Sequence, residues 1–305
     1  MSSLSVEGKF AIVTGGGSGI NLAFSKLLLQ HGCSVMIGDL ALRPEAAELI
    51  SQYPHKEGGS GPSALFHQTD VTSWPQLSSL FEKSLSSFGR VDIIVPGAGV
   101  FEPHFSAFWN PPKTATNPDS PSIDSADGEP GSYKSIEINL THPIRLSQLA
   151  IGCWTKNKLP GTLVHTSSIA GHAVGIGVPL YFASKHGLHG FVRSLGALRD
   201  AVGIRVSAVA PATVHTPLWT DAPDKKHLVD NRDFELLPEA VAEAMLELCE
   251  NPEYGNGTIL EVTNGQTRVV PLFNADPPPP RARMPAIVTI TKDLLEKLKT
   301  DGLDV

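Results

Sequence analysis

Tyr181 and Lys185 lie four residues apart in Tyr181-Phe182-Ala183-Ser184-Lys185, a spacing that puts both side chains on one face of a helix. A free tyrosine titrates near about pH 10, too high for a base at neutral pH. A cation one turn away favours the phenolate and lowers that value. Such a pair can exchange a proton with a substrate hydroxyl while hydride moves to or from a nicotinamide. Read alone, the spacing describes an exposed helix face equally well. Ser168 stands in Thr166-Ser167-Ser168-Ile169-Ala170-Gly171, beyond an apolar run that ends near His165. A hydroxyl past the C-terminal end of a strand faces the ligand crevice of an open α/β sheet, where it can hold the substrate oxygen for Tyr181.

A second group of residues has the composition of a dinucleotide site. Thr14-Gly15-Gly16-Gly17-Ser18-Gly19-Ile20 falls between an apolar run and an amphipathic stretch. Glycines there let the backbone turn tightly and approach a pyrophosphate seated on a helix N-terminus. Asp39 follows about 20 residues later, at the distance where a carboxylate accepts the ribose hydroxyls. The cofactor-binding set on these grounds is Gly15, Ser18, Gly19, Ile20, Asp39 and Leu40. The Asp39 carboxylate repels a 2′-phosphate, so NAD is expected rather than NADP; nearby Arg43 points the other way.

These residues need a frame. Phe10–Thr14, Ser34–Asp39, Leu65–His67, Val91–Val95, Gly161–His165, Ile204–Val209 and Thr258–Val262 are short apolar runs separated by helical stretches. Runs of this kind suit strands buried on both faces. Alternation with helices predicts an α/β fold, a single Rossmann-type domain with a doubly wound parallel sheet and helices on both faces. That domain is expected over residues 1–273, with a C-terminal extension over 274–305. Two stretches break the rhythm. Residues 102–131 are rich in Pro, Ser, Asp and Asn and read as a mobile insertion near the substrate entrance, with Phe101, Phe105, Phe108 and Trp109 available as a lid. The extension opens on Pro277-Pro278-Pro279-Pro280, which should be extended, before a possible short helix around Lys292–Lys299.

Bulk properties narrow the function classes. A net charge of −7 with no basic stripe argues against nucleic acid. The apolar runs are strand-sized, so no membrane partner is expected. The N-terminus lacks a signal-peptide pattern, and Cys33, Cys153 and Cys249 are scattered without metal-ligand spacing. The expectation is a cytoplasmic protein with free thiols, no metal site and a small-molecule substrate.

Taken in order, Thr14-Gly15-x-x-x-Gly19-Ile20, Asp39, Asp70-Val71, Gly97-Ala98-Gly99, Asn139, Ser168, Tyr181-x-x-x-Lys185 and Pro211-x-x-Val214-x-Thr216 resemble the short-chain dehydrogenase/reductase family over roughly residues 6–268. Tyr181–Gly187 and Asn256–Gly265 look most like its prostaglandin-dehydrogenase-like, NAD-dependent members. The resemblance implies a catalytic set of Asn139, Ser168, Tyr181 and Lys185, with Asn139 holding a water that links Lys185 to solvent. It implies that Asp70 and Val71 contact adenine, that Ala98 and Gly99 line the cofactor cleft, that Tyr181 and Lys185 bind the cofactor as well, and that Val214 and Thr216 touch the nicotinamide. It implies a secondary alcohol or ketone on an apolar molecule as substrate, and a homodimer or homotetramer formed through Leu140–Trp154 and Tyr181–Leu198. His172, Val174, Ile176, Leu218 and Trp219 are candidate pocket residues. Three departures stand out. Asn21 replaces the third glycine and should loosen helix–strand packing. Pro96-Gly97 replaces an asparagine that would brace the strands, and Ala212 replaces a glycine. An epimerase or cyclase on the same fold, and a non-catalytic NAD-binding regulator, are the alternatives.

Overall fold

The computed structural model describes residues 4–56, 58–59, 61–221, 236–264, 266–272 and 287–303. The polyproline run at Pro277–Pro280 lies outside the described residues. The strands are β1 (Phe10–Thr14), β2 (Ser34–Asp39), β3 (Ala64–Gln68), β4 (Ile93–Pro96), β5 (Gly161–Thr166), β6 (Ile204–Pro211), β7 (Asn256–Thr263) and β8 (Gln266–Val269). They form one sheet in the order β3-β2-β1-β4-β5-β6-β7-β8. Every pairing is parallel except β7 with β8. The seven expected strands are all present. The eighth is an addition: Thr263 pairs with Gln266, so the two residues between them are Asn264-Gly265, a favoured dipeptide in tight hairpins.

The helices are α1 (Gly19–Gln30), α2 (Pro44–Gln52), α3 (Trp74–Phe88), α4 (Lys134–Ile136), α5 (His142–Lys156), α6 (Pro179–Ser194), α7 (Leu198–Val202), α8 (Pro217–Thr220), α9 (Pro238–Glu250) and α10 (Ile287–Thr300). Apolar side chains cover both faces of the sheet, which is why the central strands carry no polar alternation. One layer gathers Phe24, Leu28 and Leu29 of α1 with Val241, Met245 and Leu248 of α9. The opposite layer gathers Leu77 and Leu80 of α3, Leu146 and Trp154 of α5, and Leu188 and Val192 of α6. Trp154 is fully buried and donates from Nε1 to the Val91 carbonyl at 2.7 Å. The C-terminal helix docks on this second layer: Leu298 is buried there, and the Leu303 amide donates to Thr155 Oγ1 at 3.0 Å.

Composition pointed to a mobile segment at 102–131, and the structure shows how that segment is fastened. It builds no helix or ladder of its own, and apart from Ala107 its buried residues are polar: Glu102, Ser106, Ser120, Ser122 and Asp124. Ser106 Oγ donates to Asp124 Oδ1 at 3.1 Å and accepts from the Ser135 amide at 3.0 Å. The Lys134 amide donates to Asp124 Oδ1 at 2.8 Å. Hydroxyls and a carboxylate thus pin the segment to the start of α4, a contact that hydropathy does not register. Among the described residues, no helix is long and apolar enough to cross a membrane.

Candidate active site

Chain order places β1 between β2 and β4, so connections leave the sheet in opposite directions on either side of the β1–β4 gap. Ligands bind at such a switch point, beyond the C-terminal ends of the strands. A cleft of about 600 Å³ opens there. Gly15, Ser18, Gly19, Ile20, Asp39, Leu40, Asp70, Val71, Ala98, Gly99, Ser168, Tyr181, Lys185, Val214 and Thr216 all line it. Of the expected catalytic and cofactor-binding residues, only Asn139 is not part of the lining.

The glycine turn brings β1 and β4 together. Gly15 has φ +69°, and a Cβ on it would lie 2.7 Å from Ala98 Cα, so any side chain there would push the two strand ends apart. Asp39 faces the same turn, accepting from the Gly17 amide at 2.9 Å and the Leu40 amide at 2.8 Å. Arg43 does not reach toward Asp39; it pairs with Asp221 at 2.6 Å. The α1 N-terminus carries no capping side chain and no acid in its first turn. Its positive end therefore faces the cleft uncompensated, which suits a pyrophosphate. With a carboxylate at the ribose distance and that cationic dipole between them, the residues fit NAD.

Asn21 overturns an expectation. It does not loosen the packing. Its Nδ2 donates to the Gly97 carbonyl at 2.9 Å, and its Oδ1 accepts from Thr166 Oγ1 at 3.0 Å. One amide thereby ties α1 to the ends of β4 and β5. Gly97 is the counterpart, because a Cβ there would overlap the Asn21 amide. The bracing bond that Pro96-Gly97 cannot supply comes from the helix instead. Thr14 adds to it: its Oγ1 accepts from the Gly97 amide at 3.0 Å and contacts His142 Nε2 at 3.0 Å. His142 Nδ1 lies 3.1 Å from the Ile138 carbonyl and must donate to it, leaving Nε2 to accept from Thr14. Burial holds His142 neutral, with its pKa pushed down to about 3.

Asn139 lies in a π-helical turn, Glu137–Thr141, between α4 and α5. Its Oδ1 accepts from the Val100 amide and its Nδ2 donates to the Val100 carbonyl, both at 2.8 Å. The amide expected to hold a water thus clasps the loop after β4, leaving one N–H and a lone pair for any further partner.

At the catalytic end, Ser168 follows β5 and accepts from the Ala170 amide at 3.1 Å. Tyr181 and Lys185 share the buried face of α6. Lys185 Nζ donates to the Thr166 carbonyl at 3.0 Å and lies 5.6 Å from the Tyr181 ring centroid. The acid–base balance differs from the sequence expectation. Burial raises the Tyr181 pKa, with a hydrogen bond from Ser168 opposing it. Lys185 is itself driven down to about 8 by burial. The phenol is therefore held protonated, since desolvation disfavours its charged form.

The wall beyond Tyr181 is aromatic. Phe101 meets Tyr181 edge-on at 4.7 Å and Trp219 at 4.5 Å; Leu218 and Phe182 complete it. The other expected pocket residues lie elsewhere. His172 pairs with Glu261 at 2.7 Å and stacks on His189 at 5.6 Å, behind the cleft. Val174 and Ile176 are exposed, and the Trp109 indole donates to the Ile176 carbonyl at 2.7 Å. Phe108 and Trp109 are exposed against one another, and of the four candidate lid aromatics only Phe101 lines the cleft.

The chain matches the short chain dehydrogenase family over residues 9–227. It is 28% identical over 277 residues to the 15-hydroxyprostaglandin dehydrogenase [NAD(+)] of Rattus norvegicus, covering 85% of this chain and 92% of that protein. It is 31% identical over 266 residues to the cis-4-hydroxycyclohexanecarboxylate dehydrogenase of Sinomonas cyclohexanicum, covering 86% and 97%. Its fold is similar to a crystal structure of a short-chain type dehydrogenase/reductase from Mycobacterium marinum, with a TM-score of 0.68 at 20% identity over 86% of this chain and 96% of that one.

Two predictions follow from the geometry. In a double-mutant cycle measured by denaturant unfolding, Asn21→Ala and Gly97→Ala should each destabilise, but the pair should cost less than their sum by about 0.5–3 kcal/mol, since removing the amide makes room for the Cβ. Additive effects would contradict the bridge. For Lys185, the folded pKa lies below the ordinary 10.5, so between about 8 and 10.5 the unfolded chain binds more protons and stability rises with pH. Wild type should gain stability relative to Lys185→Met across that window in thermal melts. A constant gap would show that the ammonium is not desolvated.

Proposed function

The chain belongs to the short-chain dehydrogenase family, and we propose that it is an NAD(H)-dependent oxidoreductase interconverting a secondary alcohol and a ketone on an uncharged, lipophilic small molecule. The observation that carries this reading is the meeting of Ser168, Tyr181 and Lys185 in one cleft, with Tyr181 set at the boundary between its polar cofactor half and its aromatic half. Bound NAD supplies the acceptor or donor of hydride.

The chain's own residues handle the proton. In reduction, the protonated phenol of Tyr181 donates to the carbonyl oxygen as the carbon gains hydride. In oxidation, the same oxygen, as the phenolate, takes the hydroxyl proton while the carbon loses hydride. Lys185, an ammonium below about pH 8, offsets the negative charge on the phenolate that each cycle passes through. Ser168 holds the reacting oxygen beside Tyr181. The restricted position of these groups supplies the orientation that the step requires.

Two features support the lipophilic substrate. Among the described residues, the charged lining residues are Asp39, Arg43, Asp70 and Lys185: the first three belong to the adenosine half, and the fourth serves Tyr181. The substrate half offers Phe101, Phe182, Leu218 and Trp219. An uncharged alicyclic or aromatic alcohol would lose little hydration on entering it, whereas a charged group would find no partner among the described residues. A cytoplasmic location and a homodimer or homotetramer built through α5 and α6 complete the proposal.

The test is turnover, read as reduced-nicotinamide absorbance over a panel of secondary alcohols and ketones matched in size but differing in charge. Neutral cyclic and aromatic members should react with NAD(H), and their anionic analogues should be at least about tenfold poorer in kcat/KM. NADH should bind more tightly than NADPH, with the gap shrinking in Asp39→Ala. Preference for the anionic analogues would overturn the substrate assignment, and preference for NADPH would transfer the ribose site to Arg43.

A further inference from the structure

Glu102 has three properties that set it apart from its surroundings. It is almost fully buried, at 4% exposure, within a segment otherwise rich in exposed polar residues. Its backbone is left-handed, with φ +39°, a conformation that costs energy for a residue with a side chain and tends to mark functional positions. Its carboxylate is divided between two backbone donors. Oε2 accepts from the Tyr181 amide and Oε1 from the Phe108 amide, each at 2.9 Å.

The first of these bonds falls at a weak point of the catalytic helix. The N-cap of α6 is Val178, which has no side-chain acceptor. Pro179 has no N–H, and the Phe182 amide already bonds to the Val178 carbonyl at 3.2 Å. The orphan donors of the first turn are thus Leu180 and Tyr181. Glu102 supplies the missing cap from a distant part of the chain and places a negative charge at the positive end of the helix. Its neighbour Phe101 packs edge-on against the Tyr181 ring at 4.7 Å. Successive side chains of an extended strand point to opposite faces. The left-handed turn at Glu102 lets Phe101 grip the ring of Tyr181 while Glu102 grips its backbone.

We propose that Glu102 is a positioning residue for Tyr181, and that its second bond, to Phe108, couples the 102–131 segment to the placement of the phenol oxygen. This rests on the reading of Tyr181 as the proton-transferring group. Glu102 touches neither substrate nor cofactor in this account; it acts through the residue whose amide it holds.

The experiment compares wild type, Glu102→Ala and Glu102→Gln in kcat, KM, NADH affinity by fluorescence titration, and amide hydrogen exchange of peptides spanning 179–185. Glu102→Ala should lower kcat by about tenfold or more, as expected for a slightly misplaced catalytic group. Its NADH dissociation constant should stay within about twofold of wild type, because the dinucleotide contacts come from other loops. Exchange at the start of α6 should accelerate. Glu102→Gln keeps one carbonyl oxygen to accept from the Tyr181 amide and should recover most of kcat, and it carries the test if the alanine variant does not fold. Unchanged kcat in a folded Glu102→Ala protein, a parallel loss of kcat and NADH affinity, or unaltered exchange at α6 would each overturn the proposal. If wild type shows no nicotinamide-linked turnover at all, the dehydrogenase reading fails. The clasp on Tyr181 is then decided by exchange alone.

Discussion

The C-terminal edge of a parallel sheet is where strands stop and backbone groups lose their ladder partners. In this protein the ends of β1, β4 and β5 must stay close enough to form a floor while leaving a cleft above it. Three side chains hold them. Asn21 spans from α1 to the Gly97 carbonyl and the Thr166 hydroxyl. Thr14 receives the Gly97 amide and passes its own proton toward His142. Asn139 closes both polar groups of Val100. The bonds of Asn21 and Thr14 with Gly97 are buried, so breaking either leaves a desolvated group without a partner, and the cost of that exceeds the modest net gain of making the bond. Thr166, whose hydroxyl is bound to Asn21, also offers its carbonyl to Lys185. The floor and the Lys185 ammonium therefore share one residue.

Burial of the acid–base pair follows from that arrangement. Tyr181 and Lys185 face into the molecule beneath the loop from β4, and desolvation works on both toward the neutral form. The phenol can give a proton and its phenolate can take one, with the Lys185 ammonium beside it to offset the charge. Phe101 and Trp219, in contact at 4.5 Å, continue this apolar surrounding along the cleft wall.

Much of this was legible in the sequence, for a physical reason. The spacing of Tyr181 and Lys185, the glycine turn and the acidic end of β2 are local patterns, and local patterns survive projection onto one dimension. The parallel strands announced themselves because burial on both faces removes polar alternation. What escaped were contacts between distant parts of the chain. Asn21 read as a defect because Gly97, the residue that makes room for it, is far away in sequence. The direction of the Tyr181 shift escaped because it depends on burial, which no spacing encodes. His172, Val174 and Ile176 sit close to Ser168 in sequence, yet of residues 172–176 only Ala173 lines the cleft, while His172 turns back onto Glu261 and Val174 and Ile176 face solvent. Glu102 gave no signal at all: a cap supplied from outside the helix leaves nothing in the helix sequence except the unusual Val178-Pro179 start.

The central claim is that the Tyr181 oxygen moves the proton in a nicotinamide-linked reaction, and Tyr181→Phe isolates that oxygen while preserving the ring that packs on Phe101. Single-turnover measurement of NADH oxidation with a reactive neutral ketone, beside NADH binding to the same preparation, addresses it directly. The account predicts a folded variant that binds NADH as wild type does and turns over at least about a hundredfold more slowly. A folded Tyr181→Phe protein with near-normal turnover would contradict it.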